Sequence, residues 1–205
     1  MKRILYLALF LPAFICAQEE MSTSEEDTET TEETLEMEGE TSINNEPVVM
    51  EVEPKPNEDV IYTGDLANGV AMEDLSWAWN SSNACFPATQ YHKFTGNHVF
   101  FTGIIPPYSE ITVTVVPKDP EANLSIYAYE IGANSMRLVP DLPSCIRCEA
   151  DHKWDRSYRG KTQDHTRVVR NLLALGRPYR MVIGVTGANE LREGEFELVI
   201  STQSR

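Results

Sequence analysis

Residues 111–115 read Ile-Thr-Val-Thr-Val, an alternation of apolar and polar side chains with a period of two. Similar alternation recurs over residues 124–129, Leu-Ser-Ile-Tyr-Ala-Tyr, and over residues 195–200, Glu-Phe-Glu-Leu-Val-Ile. Successive side chains of a strand point to opposite faces of its sheet, so this period predicts strands that are half buried. These stretches decide the fold class, because half-buried antiparallel strands need a second layer to cover them.

Four further strands are predicted, and short turn signals separate them. They are expected at residues 90–94, 98–102, 166–173 and 179–186, between turns rich in Gly, Pro, Asn and Asp. One long loop insertion, residues 136–163, interrupts the series. Many short strands without alternating helices predict an all-β fold, a two-sheet antiparallel sandwich.

The N-terminus predicts export. Lys2 and Arg3 precede an apolar run that ends at Ala17. Gln18 then opens a strongly acidic stretch. A basic start, a short apolar core and a small residue at the cut are typical of a secretory signal peptide, here residues 1–17, cleaved between Ala17 and Gln18. The expected location is the periplasm, the cell surface or the extracellular space.

Cys16 offers an alternative to that cleavage. A bacterial lipoprotein would be cut before Cys16 and acylated there, and the bulky Ile15 next to it disfavours this. A lipid on Cys16 would be the only anchor in the chain, so membrane attachment is expected only if Cys16 is lipidated.

Residues 18–57 predict a disordered acidic tether. They contain fourteen acidic residues, one basic residue, Lys55, and no aromatic residue. Such a stretch cannot bury enough apolar surface to offset its ordering entropy. The chain's net charge of −15 divides into +2 for residues 1–17, −13 for the tether and −4 for a domain of residues 58–205. A nearly balanced domain has no basic face, so no nucleic-acid partner is expected.

The strand sequences resemble the bacterial pre-peptidase C-terminal domain over roughly residues 90–201. The resemblance implies a jelly-roll-like β-sandwich. It also implies a role in secretion, folding or attachment to polymeric substrates rather than catalysis. The signal peptide and the Thr/Glu-rich tether resemble those of Bacteroidetes envelope proteins. The stretches that carry the domain resemblance are residues 94–101, 111–116, 123–127, 179–185 and 194–196.

The resemblance raises the question of calcium. Some members of that family bind calcium through acidic residues before the strand that matches residues 124–127, where this chain has Asn123 and Ser125. Asp119, Glu121 and Asn123 could still offer oxygens at alternate positions, but a solvated turn is the expected role of this string. No cofactor is expected, with calcium as one alternative.

The three cysteines of the domain predict a disulfide. Two residues separate Cys145 from Cys148 in the insertion, and Cys85 lies far upstream. In an exported protein the expected state is an oxidised pair, either Cys145 with Cys148 or one of them with Cys85. One alternative is a redox-active Cys-x-x-Cys pair, which the lack of a thioredoxin-like βαβ pattern disfavours. The other is a zinc site, whose ligands would be Cys145, Cys148, His152 and either Cys85 or His165.

No catalytic signature is present. The chain lacks Gly-x-Ser-x-Gly, His-Glu-x-x-His and a phosphate-binding loop, so we expect no enzyme. His92 and His98 flank a predicted turn and are expected to be ordinary surface residues. An acid/base or metal-dependent enzyme remains an alternative, because carboxylates and histidines cluster in the Cys145–His165 loop: Asp151, His152, Asp155, Asp164 and His165.

Aromatic residues surround a turn near the start of the domain. Trp77, Trp79 and Tyr91 flank the Asn-Ser-Ser-Asn sequence of residues 80–83. Such rings can stack on sugar rings at one end of a sandwich. Core packing is the expected role, because tryptophans two residues apart share one face of a strand.

The sequence therefore predicts an exported, non-catalytic binding or accessory module of the bacterial cell envelope, whose ligand is an unknown envelope protein or polysaccharide. A binding module should present an exposed aromatic or polar patch at one end of the sandwich. An enzyme should instead gather His152, His165 and carboxylates in a concave site. An assembly partner of another envelope protein should leave an apolar sheet edge or face uncovered.

Overall fold

The computed structural model describes residues 47–78, 88–142, 144–151 and 164–205, and these form ten strands and three short 3₁₀ helices. The strands are β1 (Val49–Glu51), β2 (Asp59–Asp65), β3 (Val70–Ala71), β4 (Asn97–Ile105), β5 (Ser109–Pro117), β6 (Leu124–Gly132), β7 (Arg147–Glu149), β8 (Arg167–Ala174), β9 (Tyr179–Gly187) and β10 (Glu195–Ser204). The 3₁₀ helices are Leu66–Asn68, Ser76–Ala78 and Ala88–Phe94. In these residues no helix is long and apolar enough to cross a membrane.

The strands form two sheets. The six-stranded sheet has the order β1-β4-β9-β6-β7, with β3 paired to the end of β4. The four-stranded sheet has the order β2-β10-β5-β8. Among the described ladders only β1–β4 is parallel.

Eight of these strands make a complete jelly roll. β2-β10-β5-β8 faces β4-β9-β6-β7, and successive strands of this set pass from one sheet to the other except between β6 and β7. This arrangement is the eight-stranded double-sheet topology that alternating strands without helices favour. The predicted all-β, jelly-roll-like sandwich is confirmed.

An inner cluster of side chains fills the space between the two sheets. It is mainly aliphatic, and Ile111, Val113 and Val115 of β5 enter it exactly at the alternate positions that the sequence indicates. Its two aromatic rings in the described residues, Phe101 and Phe196, meet edge to face with centroids 6.0 Å apart. The alternation of the four-stranded sheet thus results from one buried and one outward face.

An outer cluster covers the opposite face of the six-stranded sheet, which is therefore buried on both sides. Its centre is aromatic and includes Phe94, Phe100, Tyr127 and Tyr129. The segments that cover it contribute smaller residues: Leu75, Ala78, Val139, Leu142 and Cys145. The six-stranded sheet is thus the middle layer between two clusters.

The folded domain begins before the predicted boundary at residue 58. Val49–Glu51 forms β1 inside the predicted tether of residues 18–57, and Val52 is only 3% exposed. Because Val52 joins the inner cluster, its burial offsets the entropy cost of ordering the acidic residues around it. Residues 1–46, with the predicted signal peptide and most of the predicted tether, lie outside the described residues.

Two further local predictions were wrong. Residues 90–94 were expected as a strand but belong to the helix Ala88–Phe94. Instead of pairing with a strand, the Phe94 carbonyl accepts from the His98 side chain and the His92 carbonyl accepts from the Asn189 amide in a loop. Residues 136–163 were expected as a loop insertion but contain β7, which pairs with β6 and completes the jelly roll.

Candidate functional site

Several residues singled out by the sequence lie outside the described part of the chain, and their predicted roles stay predictions. They are Cys16, Ala17, Gln18, Trp79, Cys85, His152 and Asp155.

Cys145 carries a reduced thiol in the outer cluster, just before β7. Its Sγ lies 3.4 Å from the carbonyl oxygen of Ala128 and 2.8 Å from that of Arg147, and it donates to both. Burial raises the pKa of the Cys145 thiol to about 12. A buried, protonated thiol is chemically inert, so Cys145 acts in packing.

Cys148 differs from Cys145 although it lies only three residues later. It is a disulfide cysteine, and a pairing with Cys145 is wrong because the Cys145 thiol is reduced. Since Cys85 and Cys16 lie outside the described residues, a Cys85–Cys148 bond stays a prediction. A disulfide sulfur is not a thiolate, so the predicted zinc ligand set loses Cys148 as well.

His98 does not lie on the surface as expected; it is completely buried under the outer cluster. Its Nε2 donates to the carbonyl of Phe94 at 2.9 Å, and this fixes the neutral tautomer whose Nδ1 accepts from the Tyr127 hydroxyl at 2.8 Å. Burial lowers the pKa of His98 to about 4. His92, by contrast, is exposed as predicted.

Trp77 also occupies a different element from the one predicted. It lies in the 3₁₀ helix Ser76–Ala78, where Asp74 Oδ1 accepts from the Ser76 amide at 2.7 Å and caps the turn. The Trp77 ring is half buried, with its centroid 5.6 Å from that of Tyr127. Trp77 therefore packs on the outer cluster, as expected, and does not serve as a sugar-stacking ring.

The polar side chains that remain gather at one end of the sandwich, around Arg167. This residue starts β8 and is only 2% exposed. Its Nε donates to the Leu124 carbonyl at 2.8 Å, and its Nη2 donates to Asn123 Oδ1 at 3.0 Å and to His165 Nδ1 at 3.1 Å. One buried guanidinium thus joins the starts of β6 and β8.

A carboxylate that follows β7 completes this network. Asp151 Oδ1 lies 3.9 Å from Arg167 Nη2, and Asp151 Oδ2 accepts from Asn123 Nδ2 at 3.2 Å. The Asp151 carboxylate stays about one-third exposed, whereas its Arg167 partner is buried. A buried cation needs such a counter-charge and hydrogen bonds, so the loops that carry Asn123, Asp151 and His165 are held together.

The helix Ala88–Phe94 adds an exposed aromatic ring and an ammonium group to this end. Lys93 Nζ donates to the backbone carbonyl of Asp151, and the His92 carbonyl accepts from the Asn189 amide at 2.8 Å. Tyr91 lies two residues before Lys93 and is 56% exposed. The name polar end is used below for these seven residues: Tyr91, His92, Lys93, Asn123, Asp151, His165 and Arg167.

The acidic string before β6 behaves as a solvated turn. Asp119 Oδ1 accepts from the Glu121 amide at 3.0 Å, and all three residues of the Asp119–Glu121 turn are exposed. The Asn123 side-chain oxygen faces Arg167, not this turn. The three oxygens expected for calcium therefore do not converge.

The predicted acid/base cluster is only partly brought together. His165 faces Arg167, whereas the Asp164 carboxylate accepts from the Thr166 amide at 3.1 Å in a local turn. Within the described ranges, no three His, Cys, Asp or Glu side chains are placed to hold a metal ion.

Tyr91, Asp151 and His165 stand out in the sequence by residue type and position, whereas Arg167 and Lys93 do not. A signal for Arg167 was present, since it shares the inward face of β8 with Val169 in a period of two. A lone arginine at a core position of a strand must find buried partners, and this marks it as the centre of a polar network.

No protein-family model and no curated protein matches the chain. Several solved structures are similar in fold. The periplasmic lysozyme inhibitor PliG of Aeromonas hydrophila, an inhibitor of g-type lysozyme, is 10% identical with a TM-score of 0.37, over 76% of this chain and 97% of that one.

A second similar structure is the pre-peptidase C-terminal domain of a Bacillus anthracis collagenase, the kind of domain that the sequence resembles. It is 10% identical with a TM-score of 0.38, over 78% of this chain and 98% of that one. With identities and TM-scores this low, neither likeness carries an argument about this chain, and the sandwich is described from its own strands.

Proposed function

We propose that the chain is an exported, non-catalytic binding module of the bacterial cell envelope and that it contacts its ligand, an envelope protein or polysaccharide, with the polar end. The observation that carries the proposal is the buried Arg167 network, which fixes three loops beside the exposed Tyr91 ring. A surface held rigid before binding loses little conformational entropy when the ligand arrives.

The chemistry of the polar end suits recognition. Tyr91 offers a flat exposed ring on which a sugar or a side chain can stack, and Asp151 and Lys93 offer opposite charges a short distance away. Neighbouring donors and acceptors of both signs give orientation and specificity to a polar ligand.

The placement of the strongly perturbed groups argues against catalysis. His98 and Cys145 have pKa values shifted by burial, and each has its hydrogen-bond partners inside the outer cluster. A general base or nucleophile must reach its substrate, and these two side chains are buried away from solvent. The export part of the proposal is supported by the signal-peptide pattern of residues 1–17.

The test compares two exposed tyrosines at opposite ends of the sandwich. Tyr91 is 56% exposed at the polar end, and Tyr108 is 61% exposed in the β4–β5 turn at the other end. Binding of the purified mature chain to isolated host envelopes is measured by co-sedimentation. We expect Tyr91→Ala to weaken binding about tenfold, a loss of roughly 1.4 kcal/mol, and Tyr108→Ala to change it less than twofold.

Equal binding by wild type and Tyr91→Ala, or equal loss in both variants, would contradict the proposal. Pretreatment of the envelopes with a protease or with polysaccharide-degrading enzymes identifies the ligand class. Binding that survives only the protease indicates a polysaccharide, and binding that survives only the polysaccharide digestion indicates a protein.

A further inference from the structure

The strand β1 is an addition to a fold that is already complete. The eight strands of the jelly roll pair without it, and its ladder with β4 is short and parallel. Only three residue pairs join the two strands, Val49–Glu51 with Phe100–Thr102. β1 can therefore leave β4 without breaking any ladder of the jelly roll.

The edge of β4 is nevertheless shaped for a strand. The Val52 amide donates to the Thr102 carbonyl at 2.8 Å, and Met50 and Val52 both pack on the inner cluster. Opposite them, a Cβ on Gly103 would lie 2.4 Å from the Val52 carbonyl oxygen. Only glycine at this position lets the added backbone approach β4 so closely.

The groove that holds β1 is flanked by two hollows. A hollow of about 430 Å³ is lined by Val48, Met50 and Val99 on one side of the strand. A second hollow of about 770 Å³ is lined by Val52, Pro54 and residues of the β4–β5 turn on the other. Two separate hollows thus lie beside β1 on the β1/β2 side of the sandwich.

On the opposite side of the sandwich, carboxylates block part of the β8 edge against strand pairing. The β8 edge offers its Val168 amide to the Glu149 carboxylate and its Leu173 amide to the Glu130 carboxylate, the latter at 2.6 Å. Carboxylates on an edge strand block pairing with another chain. Carboxylates thus cap two amides of the β8 edge, whereas the β4 edge pairs with the backbone of β1.

The connection between β1 and β2 has the composition of a hinge. Asn57 is anchored, since its amide donates to the Thr202 carbonyl at 2.9 Å and its Oδ1 accepts from the Ser204 amide at 3.0 Å. Between this anchor and Val52 lie Pro54, Lys55 and Pro56. Residues Lys55 to Glu58 form a β-turn, in which the Glu58 amide donates to the Lys55 carbonyl at 3.2 Å and Asn57 has a φ of 59°. Opening this turn would carry β1 to a neighbouring molecule instead of back to its own β4.

We propose that the β4 groove is a strand-exchange site that accepts residues 47–54 of a second copy of this chain in place of its own. A second copy can supply the occupant because residues 47–54 of this chain already fit the groove, with Met50 and Val52 inward and Glu51 outward. Reciprocal exchange repeats the same contacts across a two-fold axis and gives a closed dimer. This inference is independent of the proposed ligand site at the polar end.

The test removes the hinge from the full chain. Deletion of Lys55 and Pro56 removes the first two residues of the turn and up to about 7 Å of chain, so β1 can no longer fold back through this turn and we expect the mass in solution at tens of micromolar to double. Adding Val52→Asp, which places a charge in the groove, should return the deletion variant to the monomer. Size-exclusion chromatography with light scattering gives both masses. A monomeric deletion variant, or a dimer that Val52→Asp leaves intact, would overturn the proposal.

A second arm serves if the deletion variant does not fold. In the full chain, Val52→Asp dislodges the chain's own β1 and frees the groove for a synthetic peptide of residues 47–54. We expect this variant to bind the peptide at least tenfold more tightly than wild type, where β1 competes from the same molecule. Glu51→Gln is the matched control, because its side chain points outward and its peptide affinity should equal that of wild type. Equal peptide affinity for Val52→Asp and wild type would overturn strand exchange.

Discussion

The two faces of the six-stranded sheet are both buried, but they are built from different chemistry. Phe101 faces the inner cluster among aliphatic side chains, whereas its neighbour Phe100 faces the outer cluster among aromatic rings. The outer cluster also holds the hydrogen-bonded pair His98 and Tyr127 and the reduced thiol of Cys145. Hydrophobic burial alone accounts for the inner face, and the outer face adds polar groups that must keep their partners.

The groups whose pKa values are shifted most by burial include His98, Tyr127 and Cys145, and they all stabilise the packing of the outer face. His98 and Tyr127 satisfy each other under Phe94, Phe100 and Trp77, within ring-centroid distances of about 6 Å. Sensitivity of the domain to pH and to fine packing should therefore come from the outer cluster.

The largest effect is expected at Gly184 of β9, which pairs with Tyr127 across the sheet. A Cβ there would lie 2.1 Å from Tyr127 Cζ, and Tyr127 is fully buried and cannot move aside. Gly184→Ala should lower the free energy of unfolding by about 3 kcal/mol in chemical denaturation. Gly176→Ala is the matched control, because a Cβ at Gly176 meets nothing within 4 Å. Equal stability of the two variants would show that the outer cluster is loosely packed.

The next effect is a loss of stability in acid. The pKa of His98 falls from 6.5 to about 4 on folding, so between these values the unfolded chain binds a proton that the native chain does not. Stability is full above pH 6.5 and should fall by on the order of 3 kcal/mol as the pH drops to 4. The measurement is the free energy of unfolding against pH for wild type and His98→Asn.

Carboxylates titrate in both proteins, so the difference between the two curves isolates His98. That difference should shrink steadily below pH 6.5. Val113→Ala, a variant of the inner cluster, should lower the whole curve without changing its slope. A His98→Asn curve parallel to that of wild type would contradict the assignment of the acid sensitivity to the outer cluster.

A smaller effect is expected from Tyr127→Phe. The change removes the hydroxyl that donates to His98 Nδ1 and leaves that buried acceptor without this donor. We expect a loss of about 1–2 kcal/mol in thermal or chemical unfolding. Tyr179→Phe provides the control, because its hydroxyl accepts from Arg177 Nε in exposed surroundings and its loss should cost less than about 0.5 kcal/mol. Similar losses of unfolding free energy in the two variants would mean that the hydrogen bond between Tyr127 and His98 adds nothing to stability.

The two sheets also explain which parts of the fold could be predicted. β5 and β10 alternate in sequence because the four-stranded sheet has one outward face, and their period of two was read correctly. β4 and β9 are buried on both faces and therefore lack alternation, so residues such as His98 were assigned to the surface. A short strand such as β7 or β1 has too few residues for a period, and its pairing depends on a neighbour distant in sequence.

The candidate site was predicted only in part, for a similar reason. Tyr91 and His165 stood out by residue type, and both lie at the polar end. Arg167 organises that end through Leu124 and Asn123, more than forty residues away in sequence. A contact of this range depends on the tertiary fold, and a single sequence carries no local signal for the partner.

The central claim is that the outer cluster is a closed second core, and the thiol of Cys145 reports on it directly. The native chain is treated with iodoacetamide at pH 8 without reductant, and labelling is followed by peptide mass mapping. Because burial raises the pKa of Cys145 from 9.0 to about 12, the account predicts labelling about a thousandfold slower than in denaturant. Native labelling of Cys145 within tenfold of the unfolded rate would contradict it.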